Sequence, residues 1–493
     1  MAEPVERPTD GPVTRWRVWK DRMSPVPGNG SDDRRFVAGS AVLGLVVAAV
    51  AVLAAGPWDT GQRKAEHDRV VAEERTGGVR HVPDPAGPRP APSAPAVLTA
   101  LGERSGRTAP VAAGTLDAVL TPLLGAPGLG DVSAASVVDT ATGTQVYAHG
   151  ATTPMTPAST VKIAGAVAAL SALGPDHRIP TTVQVSKDAR TLTLVGGGDP
   201  TLDGAALRAL AAGTARALGD SVPGKVRLTY DTSRYSGPAL HPISPNENIA
   251  PVSALMVDEG RLDGSDHGPA PRTADPAREA ARAFAEQLGK AGVSVRSDAT
   301  SGRAGKGART VARHLSEPLS ALVERALTNS DNDIAEALVR QTALKAGEPA
   351  SFAGARRAVT ARLKALGVPV AGAALVDGSG LNRQDKVTAQ LLTSLLTLAA
   401  HPDHPELRPV LTGLPVAGFS GTLGERYAAT SRGTGLVRAK TGTLTGVNTL
   451  AGTAVDPQGR LLAFAFLTSG TTSPGEAEAS LDALATALTR GGR

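Results

Sequence analysis

The stretch Thr156-Pro-Ala-Ser-Thr-Val-Lys-Ile163 is followed by an almost wholly apolar run that ends near residue 173. A threonine followed by a proline is typical of a helix start, because the hydroxyl caps free amides and proline needs no amide hydrogen there. The apolar run predicts a helix that is buried on all sides. Lys162 at its beginning is costly to bury unless the amine has partners or a task.

Ser159 and Lys162 lie three residues apart, so both side chains project from one face of the predicted helix. Ser159 also lies in the first turn, where backbone amides have no helical partner. The segment combines a hydroxyl, an amine that can take its proton and an amide that can bind an oxyanion, which together make a serine acyl-transfer site. On its own, however, so short a pattern favours a capped core helix whose lysine reaches solvent.

Two further motifs follow along the chain, Ser330-Asp-Asn332 on a loop between predicted helices and Lys440-Thr-Gly442 on a predicted strand. Ser330 and Asn332 supply a hydroxyl and a carboxamide that can relay protons to a leaving amine and hold a peptide bond of a substrate. Lys440 supplies positive potential for a carboxylate, and its charge opposes protonation of Lys162.

The strand that carries Lys440 is also suited to binding a peptide. Gly442 is expected to leave room for a ligand against the strand, whose edge can pair with an extended peptide. The amide of Thr443 is expected to complete an oxyanion hole with that of Ser159. Each short motif is ordinary by itself, but all three in this order, each on the predicted element type, make coincidence a poor explanation.

The three motifs form the set found in class A β-lactamases and penicillin-binding proteins. The chain resembles the low-molecular-mass class C penicillin-binding proteins of the D-alanyl-D-alanine carboxypeptidase/endopeptidase type, serine peptidase family S13. The resemblance covers about residues 112–490 and rests also on residues 196–202, 330–336, 377–383, 414–418, 421–423 and 440–446. Ser330 follows Ser159 by 171 positions, which leaves room for an extra domain.

The resemblance implies an α/β (α+β) fold of the penicillin-binding/serine β-lactamase type. In this fold a five-stranded antiparallel sheet, with helices on both faces, lies beside a helical lobe. The sheet would combine an N-terminal hairpin with three C-terminal strands. The catalytic domain is expected over residues 111–180 and 316–493, with a smaller β-rich inserted domain at 181–315.

The implied reaction is attack by Ser159 on the penultimate D-alanine carbonyl of a peptidoglycan stem peptide that ends in D-Ala-D-Ala. The terminal D-alanine leaves and water hydrolyses the acyl-enzyme; the same site can cut D-alanyl cross-links as an endopeptidase. Lys162, Ser330, Asn332 and Lys440 are the other catalytic candidates, and Thr441, Gly442 and Thr443 are the substrate-binding candidates. β-Lactams are expected to acylate Ser159.

The segment before the catalytic domain indicates a membrane location. Residues 1–35 are polar and predict a disordered cytoplasmic tail. The run Phe36–Ala55 contains 20 residues without a charge, enough to span a bilayer, and Arg34 and Arg35 favour a cytoplasmic N-terminus. Residues 56–110 form a Pro/Ala-rich linker. We therefore expect a single-pass anchor with an extracytoplasmic catalytic domain, or secretion if the helix is cleaved.

Composition excludes several classes of site and partner. The chain has no cysteine, so disulfides, thiol nucleophiles and zinc-thiolate sites are ruled out. The net charge of +5 is small for 493 residues and no basic block is interleaved with aromatics, so no nucleic-acid partner is predicted. No H-E-x-x-H is present, and His401-Pro-Asp-His404 is typical of a turn. We predict no metal and no cofactor.

Two alternative functions stay open from the sequence. A class A β-lactamase needs a glutamate that activates the deacylating water. That glutamate would fall near Leu366, and residues 367–376 contain no acid. The other alternative is a catalytically idle wall-binding or sensor protein of the same fold, against which the intact motifs argue.

Overall fold

The computed structural model describes residues 113–219, 224–244 and 246–490, which all belong to one structural unit, Ser105–Arg493. The predicted tail, anchor and linker (1–35, 36–55 and 56–110) lie outside the described residues. No helix within the described ranges has the length and apolar character that a bilayer crossing requires.

The described residues contain ten strands and ten α-helices. The strands are β1 (Val132–Asp139), β2 (Gln145–His149), β3 (Pro180–Val185), β4 (Thr191–Val195), β5 (Arg227–Asp231), β6 (Thr300–Ser301), β7 (Arg309–Leu315), β8 (Val437–Leu444), β9 (Val447–Val455) and β10 (Leu461–Ser469). The helices are α1 (Ala113–Leu124), α2 (Lys162–Leu173), α3 (Gly204–Leu218), α4 (Pro276–Lys290), α5 (Leu319–Thr328), α6 (Asn332–Lys345), α7 (Phe352–Ala365), α8 (Ala389–Ala400), α9 (Arg408–Thr412) and α10 (Pro474–Leu488).

The first sheet is antiparallel and has the strand order β2-β1-β10-β9-β8, which confirms the predicted union of the N-terminal hairpin with three C-terminal strands. Its central strand β10 is apolar on both faces because both faces are covered. Phe464 and Phe466 pack with α1 and α10, while Ala463, Ala465 and Leu467 on the opposite face pack with α2 and α8. Strand β8 lies at one edge of the sheet.

The helical lobe is built around α2, in which every residue from Lys162 to Leu170 is buried. Helices α5, α6, α7 and α8 contribute apolar side chains to the same core. An all-apolar helix surface requires such packing on every side. Full burial of a leucine or valine side chain contributes about 1.5–3 kcal/mol, so this core holds the N-terminal end of α2 firmly in place.

The second sheet is formed wholly by residues 180–315, the segment in which the sequence predicts an inserted domain. Its strand order is β6-β5-β4-β3-β7, with antiparallel and parallel pairs. Helices α3 and α4 cover it, with Leu207, Leu210, Phe284 and Leu288 in a separate apolar core. The chain enters this sheet on β3 and leaves it on the adjacent strand β7, so both ends of the segment lie together.

Candidate active site

Ser159 lies in a 3-10 turn, Ala158–Val161, that immediately precedes α2. The prediction that Thr156 caps this helix is wrong, because the hydroxyl of Thr156 accepts a hydrogen bond from Lys386 Nζ at 2.8 Å instead. The turn is held by the carbonyl of Pro157, which accepts from the hydroxyls of Thr160 and Thr449 at 2.7 and 2.8 Å. These two contacts fix the backbone from which Ser159 projects.

Lys162 makes three hydrogen bonds at the base of the cleft. Its Nζ lies 2.8 Å from Ser159 Oγ, 2.7 Å from Asn332 Oδ1 and 2.5 Å from the carbonyl oxygen of Ser379. The side chain is only 2% exposed. The predicted pairing of the serine with the lysine is therefore present, with the amine in place to accept the hydroxyl proton.

Burial lowers the pKa of Lys162 to about 8, although nearby carboxylates, led by Asp377 and Asp331, act in the opposite direction. Desolvation disfavours a charged amine, which is the physical cause of the shift. The repulsion expected from Lys440 is not the main cause. Burial and then the charge of Lys162 lower the pKa of Lys440 itself.

Ser330 and Asn332 belong to the turn that joins α5 to α6. Asp331 caps α6 by accepting the amide of Ile334 at 2.9 Å, and this places Asn332 in the first turn of the helix. Asn332 bridges two parts of the molecule, because its Nδ2 donates to the carbonyl of Asn248 at 2.9 Å. Ser330 has a φ of 58° and lines the cleft, but its hydroxyl bonds to no other described residue.

The motif on β8 differs from expectation at two positions. Lys440 is fully buried and its Nζ donates to the carbonyl of Thr441 at 2.9 Å, so the amine does not line the cleft. Gly442 makes no room for a ligand. A Cβ there would lie 2.2 Å from Thr449 Oγ1 and 2.7 Å from the Pro157 carbonyl oxygen. The glycine instead allows β8 to pack against the turn that carries Ser159.

The outer edge of β8 is open where it borders the cleft. Ala439 donates its amide outward to Pro415 at 2.9 Å, and Val437 accepts from Ala417 at 3.0 Å, so residues 415–417 cover the first half of this edge. Backbone groups of alternate residues point to the same side of a strand. Thr441 and Thr443 therefore direct their backbone groups away from β9 and into the cleft.

The cleft has a volume of about 310 Å³ and joins the separate motifs in one site. Ser159, Ser330, Asn332, Thr441 and Thr443 all line it. The hydroxyls of Thr441 and Thr422 are 2.8 Å apart along one wall. The predicted residues are thus assembled as expected, apart from Lys440 and Gly442, which lie behind the wall.

Sequence reasoning missed two contributions to this site. The loop Asp377-Gly-Ser-Gly380 brings the Ser379 carbonyl to Lys162. The second is the inserted segment, whose Asn248, Arg261 and Arg272 line the cleft opposite β8. The Asp-Gly-Ser-Gly pattern was a detectable signal. Every residue has a backbone carbonyl, however, so the sequence does not indicate which carbonyl contacts Lys162.

Comparisons with known proteins agree with this geometry. The model of the D-Ala-D-Ala carboxypeptidase 3 (S13) family matches residues 116–267 and 263–490. The chain belongs to the S13 peptidase family. Carboxypeptidase Rv3627c of Mycobacterium tuberculosis is 39% identical over 420 residues, which cover 81% of this chain and 89% of the relative. Carboxypeptidase DacB of Mycolicibacterium smegmatis is 36% identical over 470 residues, covering 91% and 95% respectively.

The S13 peptidase also shares its fold with a solved structure. The crystal structure of penicillin binding protein 4 from Haemophilus influenzae aligns with a TM-score of 0.63 at 23% identity, over 75% of this chain and 98% of that chain. The β-lactamase alternative is not favoured. Leu366, at the place where a class A enzyme needs its glutamate, packs against the apolar core of the helical lobe.

Proposed function

We propose that this S13 peptidase is a serine-type D-Ala-D-Ala carboxypeptidase that trims peptidoglycan stem peptides through an acyl-enzyme on Ser159. The proposal rests on one observation above all, the 2.8 Å contact between Lys162 Nζ and Ser159 Oγ beside an open strand edge. Membership of the S13 family and relatives named as carboxypeptidases support the same reaction class.

The reaction uses the neutral form of Lys162. Its amine takes the proton of Ser159, whose Oγ attacks the carbonyl carbon of the penultimate D-alanine. The amides of Ser159 and Thr443 bind the oxyanion that forms. The proton then passes to the nitrogen of the terminal D-alanine, the C–N bond breaks and D-alanine leaves. Water attacks the resulting ester, which releases the shortened peptide and restores the serine hydroxyl.

The substrate lies along the open edge of β8. An extended peptide pairs there with the backbone groups of Thr441 and Thr443, which fixes the scissile carbonyl over Ser159. The terminal carboxylate is held by the hydroxyls of Thr441 and Thr422, and the buried Lys440 contributes potential without direct contact. Endopeptidase cleavage follows the same steps when the leaving amine belongs to a second stem peptide. A β-lactam carbonyl occupies the same place and acylates Ser159.

The location is part of the proposal. The 20 uncharged residues of Phe36–Ala55 support a single-pass anchor, and the Pro/Ala-rich residues 56–110 support a spacer between it and the catalytic unit. The catalytic unit then works on the extracytoplasmic side, where peptidoglycan is found. The full chain is expected to stay with membranes after an alkaline carbonate wash, and its release by that wash would contradict the anchor.

Release of D-alanine from a pentapeptide ending in D-Ala-D-Ala tests the activity. The wild-type chain is expected to release it, Ser159→Ala to lose release entirely, and Ser233→Ala, at an exposed serine of the inserted segment, to match the wild type. Release that persists in Ser159→Ala would refute the acyl-enzyme. Rapid turnover of benzylpenicillin without D-alanine release would favour a β-lactamase instead.

A further inference from the structure

The inserted segment contacts one acceptor of Lys162 directly, Asn332, and reaches the loop that carries a second acceptor, the Ser379 carbonyl. The carboxamide of Asn332 is held by the carbonyl of Asn248, at 2.9 Å. On the other side, His241 Nε2 lies 2.7 Å from Asp377 Oδ2, in the loop that presents the Ser379 carbonyl. Both contacts, from Asn248 and His241, join the inserted segment to the helical lobe. The inserted segment thus contacts the surroundings of Lys162 on two sides.

The proton of His241 can be placed from its neighbours. The amide of Ile243 donates to His241 Nδ1 at 3.3 Å, so this nitrogen is an acceptor. The proton therefore resides on Nε2 and is donated to the carboxylate of Asp377. Both side chains are only 1% exposed, so water does not compete for this contact.

Asp377 organises the loop that follows it. Its Oδ1 accepts the amide of Gly380 at 2.6 Å, and its Oδ2 accepts the amide of Asn382 at 2.9 Å in addition to His241. Burial alone would raise the pKa of Asp377, but the hydrogen bond from His241 and those from neighbouring groups hold it below its ordinary value. The carboxylate is therefore ionised and holds the loop in one shape.

Glu336 fixes the same loop from α6. Its Oε1 accepts the amides of Gly378 and Ser379 at 2.9 and 3.0 Å. His241, Glu336 and Asp377 place potential ligand atoms within 4.8 Å of one another, close enough for a metal ion. Both oxygens of Asp377 and both ring nitrogens of His241 are already engaged, however, so the cluster is better described as a hydrogen-bonded clasp.

We propose that His241 is a positioning residue of the inserted segment. Through Asp377 it fixes the Ser379 carbonyl against Lys162, so that activation of Ser159 depends on the insert. The inference rests on the proposed function, in which Lys162 is the base for Ser159. A positioning error of about 1 Å in such a site costs on the order of 100-fold in rate.

Acylation by benzylpenicillin tests this role in the full chain. For each variant, two quantities are measured: the fraction of molecules labelled at completion and the rate constant of those that label. We expect His241→Ala to label to completion with a rate constant about 10- to 100-fold lower. His241→Gln, whose amide nitrogen replaces the donor at Nε2, should stay within about 3-fold of the wild type. His314→Ala, on the edge strand β7, is the matched control and should match the wild type.

Each other outcome overturns the inference in a distinct way. An unchanged rate constant in His241→Ala would show that the clasp does not act on Lys162. A reduced labelled fraction with a normal rate constant would assign His241 a purely structural role. His241→Gln as slow as His241→Ala would exclude the hydrogen bond as the cause. A wild-type chain that never labels would instead refute the proposed function, on which the inference depends.

Discussion

The pH at which Ser159 becomes reactive is set by the burial of Lys162. The structure places the pKa of this amine at about 8, compared with 10.5 for an unperturbed lysine. At pH 7 a pKa of 8 leaves about one molecule in ten with a neutral amine, about 300 times more than an unperturbed lysine provides. Since only the neutral amine can take the serine proton, acylation should rise about tenfold per pH unit below the pKa.

The perturbation is therefore a change of pH from 6 to 10, and the assay is the second-order rate of acylation by benzylpenicillin at constant ionic strength. The neutral fraction grows from about 1% at pH 6 to about 90% at pH 9, which predicts a rise of about 90-fold and then a plateau. Spontaneous hydrolysis of the drug is subtracted, and circular dichroism at each pH checks that the chain stays folded.

Two results would refute this reasoning. A rate that does not change between pH 6 and 9 would mean that Lys162 is not the base. A rate that still rises tenfold per unit above pH 9 would mean that the amine titrates like a solvated lysine.

The lowered pKa of Lys162 also affects the stability of the fold with a defined sign. The unfolded chain binds the extra proton between about pH 8 and 10.5, so the contribution of Lys162 to the free energy of unfolding rises with pH in that window.

Substitutions at three positions extend the test to the surroundings of the site. Gly380→Ala should lower the acylation rate on the order of 100-fold, because its Cβ would lie 2.0 Å from the carbonyl oxygen of Ala158. Gly143→Ala, at a left-handed turn with nothing within 4 Å, is its control and should acylate normally. Ser330→Gly and Ser330→Ala should both slow D-alanine release, but the glycine variant should be more stable by about 1 kcal/mol in urea unfolding because Ser330 has a left-handed φ. Equal stabilities would contradict the strain at this turn. Burial, followed by the charge of its neighbour Asp377, raises the pKa of Asp385 to about 9. The folded chain therefore binds more protons than the unfolded chain between about pH 4 and 9, and stability falls as pH rises. Asp385→Asn removes this fall, so the Tm of the variant relative to that of the wild type should rise as pH increases from 5 to 9. A Tm difference that does not change with pH would argue against the pKa shift.

The first sheet could be predicted because the resemblance implies that an N-terminal hairpin joins three C-terminal strands, which is the order β2-β1-β10-β9-β8 that the structure has. Helix α3 was missed, although Leu207, Leu210 and Leu218 are buried on one face and Asp203 caps it by accepting the amide of Ala206. Its sequence is rich in alanine and carries two glycines, Gly204 and Gly213, which weakens the apolar periodicity.

The site was predictable where side chains carry the chemistry and not where backbone or distant contacts do. Ser159 and Lys162 are separated by one helical turn, so their spacing alone indicates a pair. His241 and Asp377 are 136 residues apart and meet only because the insert folds back on the helical lobe. The role of Gly442 depends on the position of Thr449 on the neighbouring strand, a packing contact that the motif itself does not encode.

The central claim is that Ser159 is the nucleophile of a penicillin-sensitive acyl transfer. Its most direct test is the intact mass of the full chain during incubation with benzylpenicillin, followed by peptide mapping. The account predicts a one-to-one adduct on Ser159 that persists for many minutes. A folded chain that gains no mass, or an adduct that maps to another residue, would contradict it.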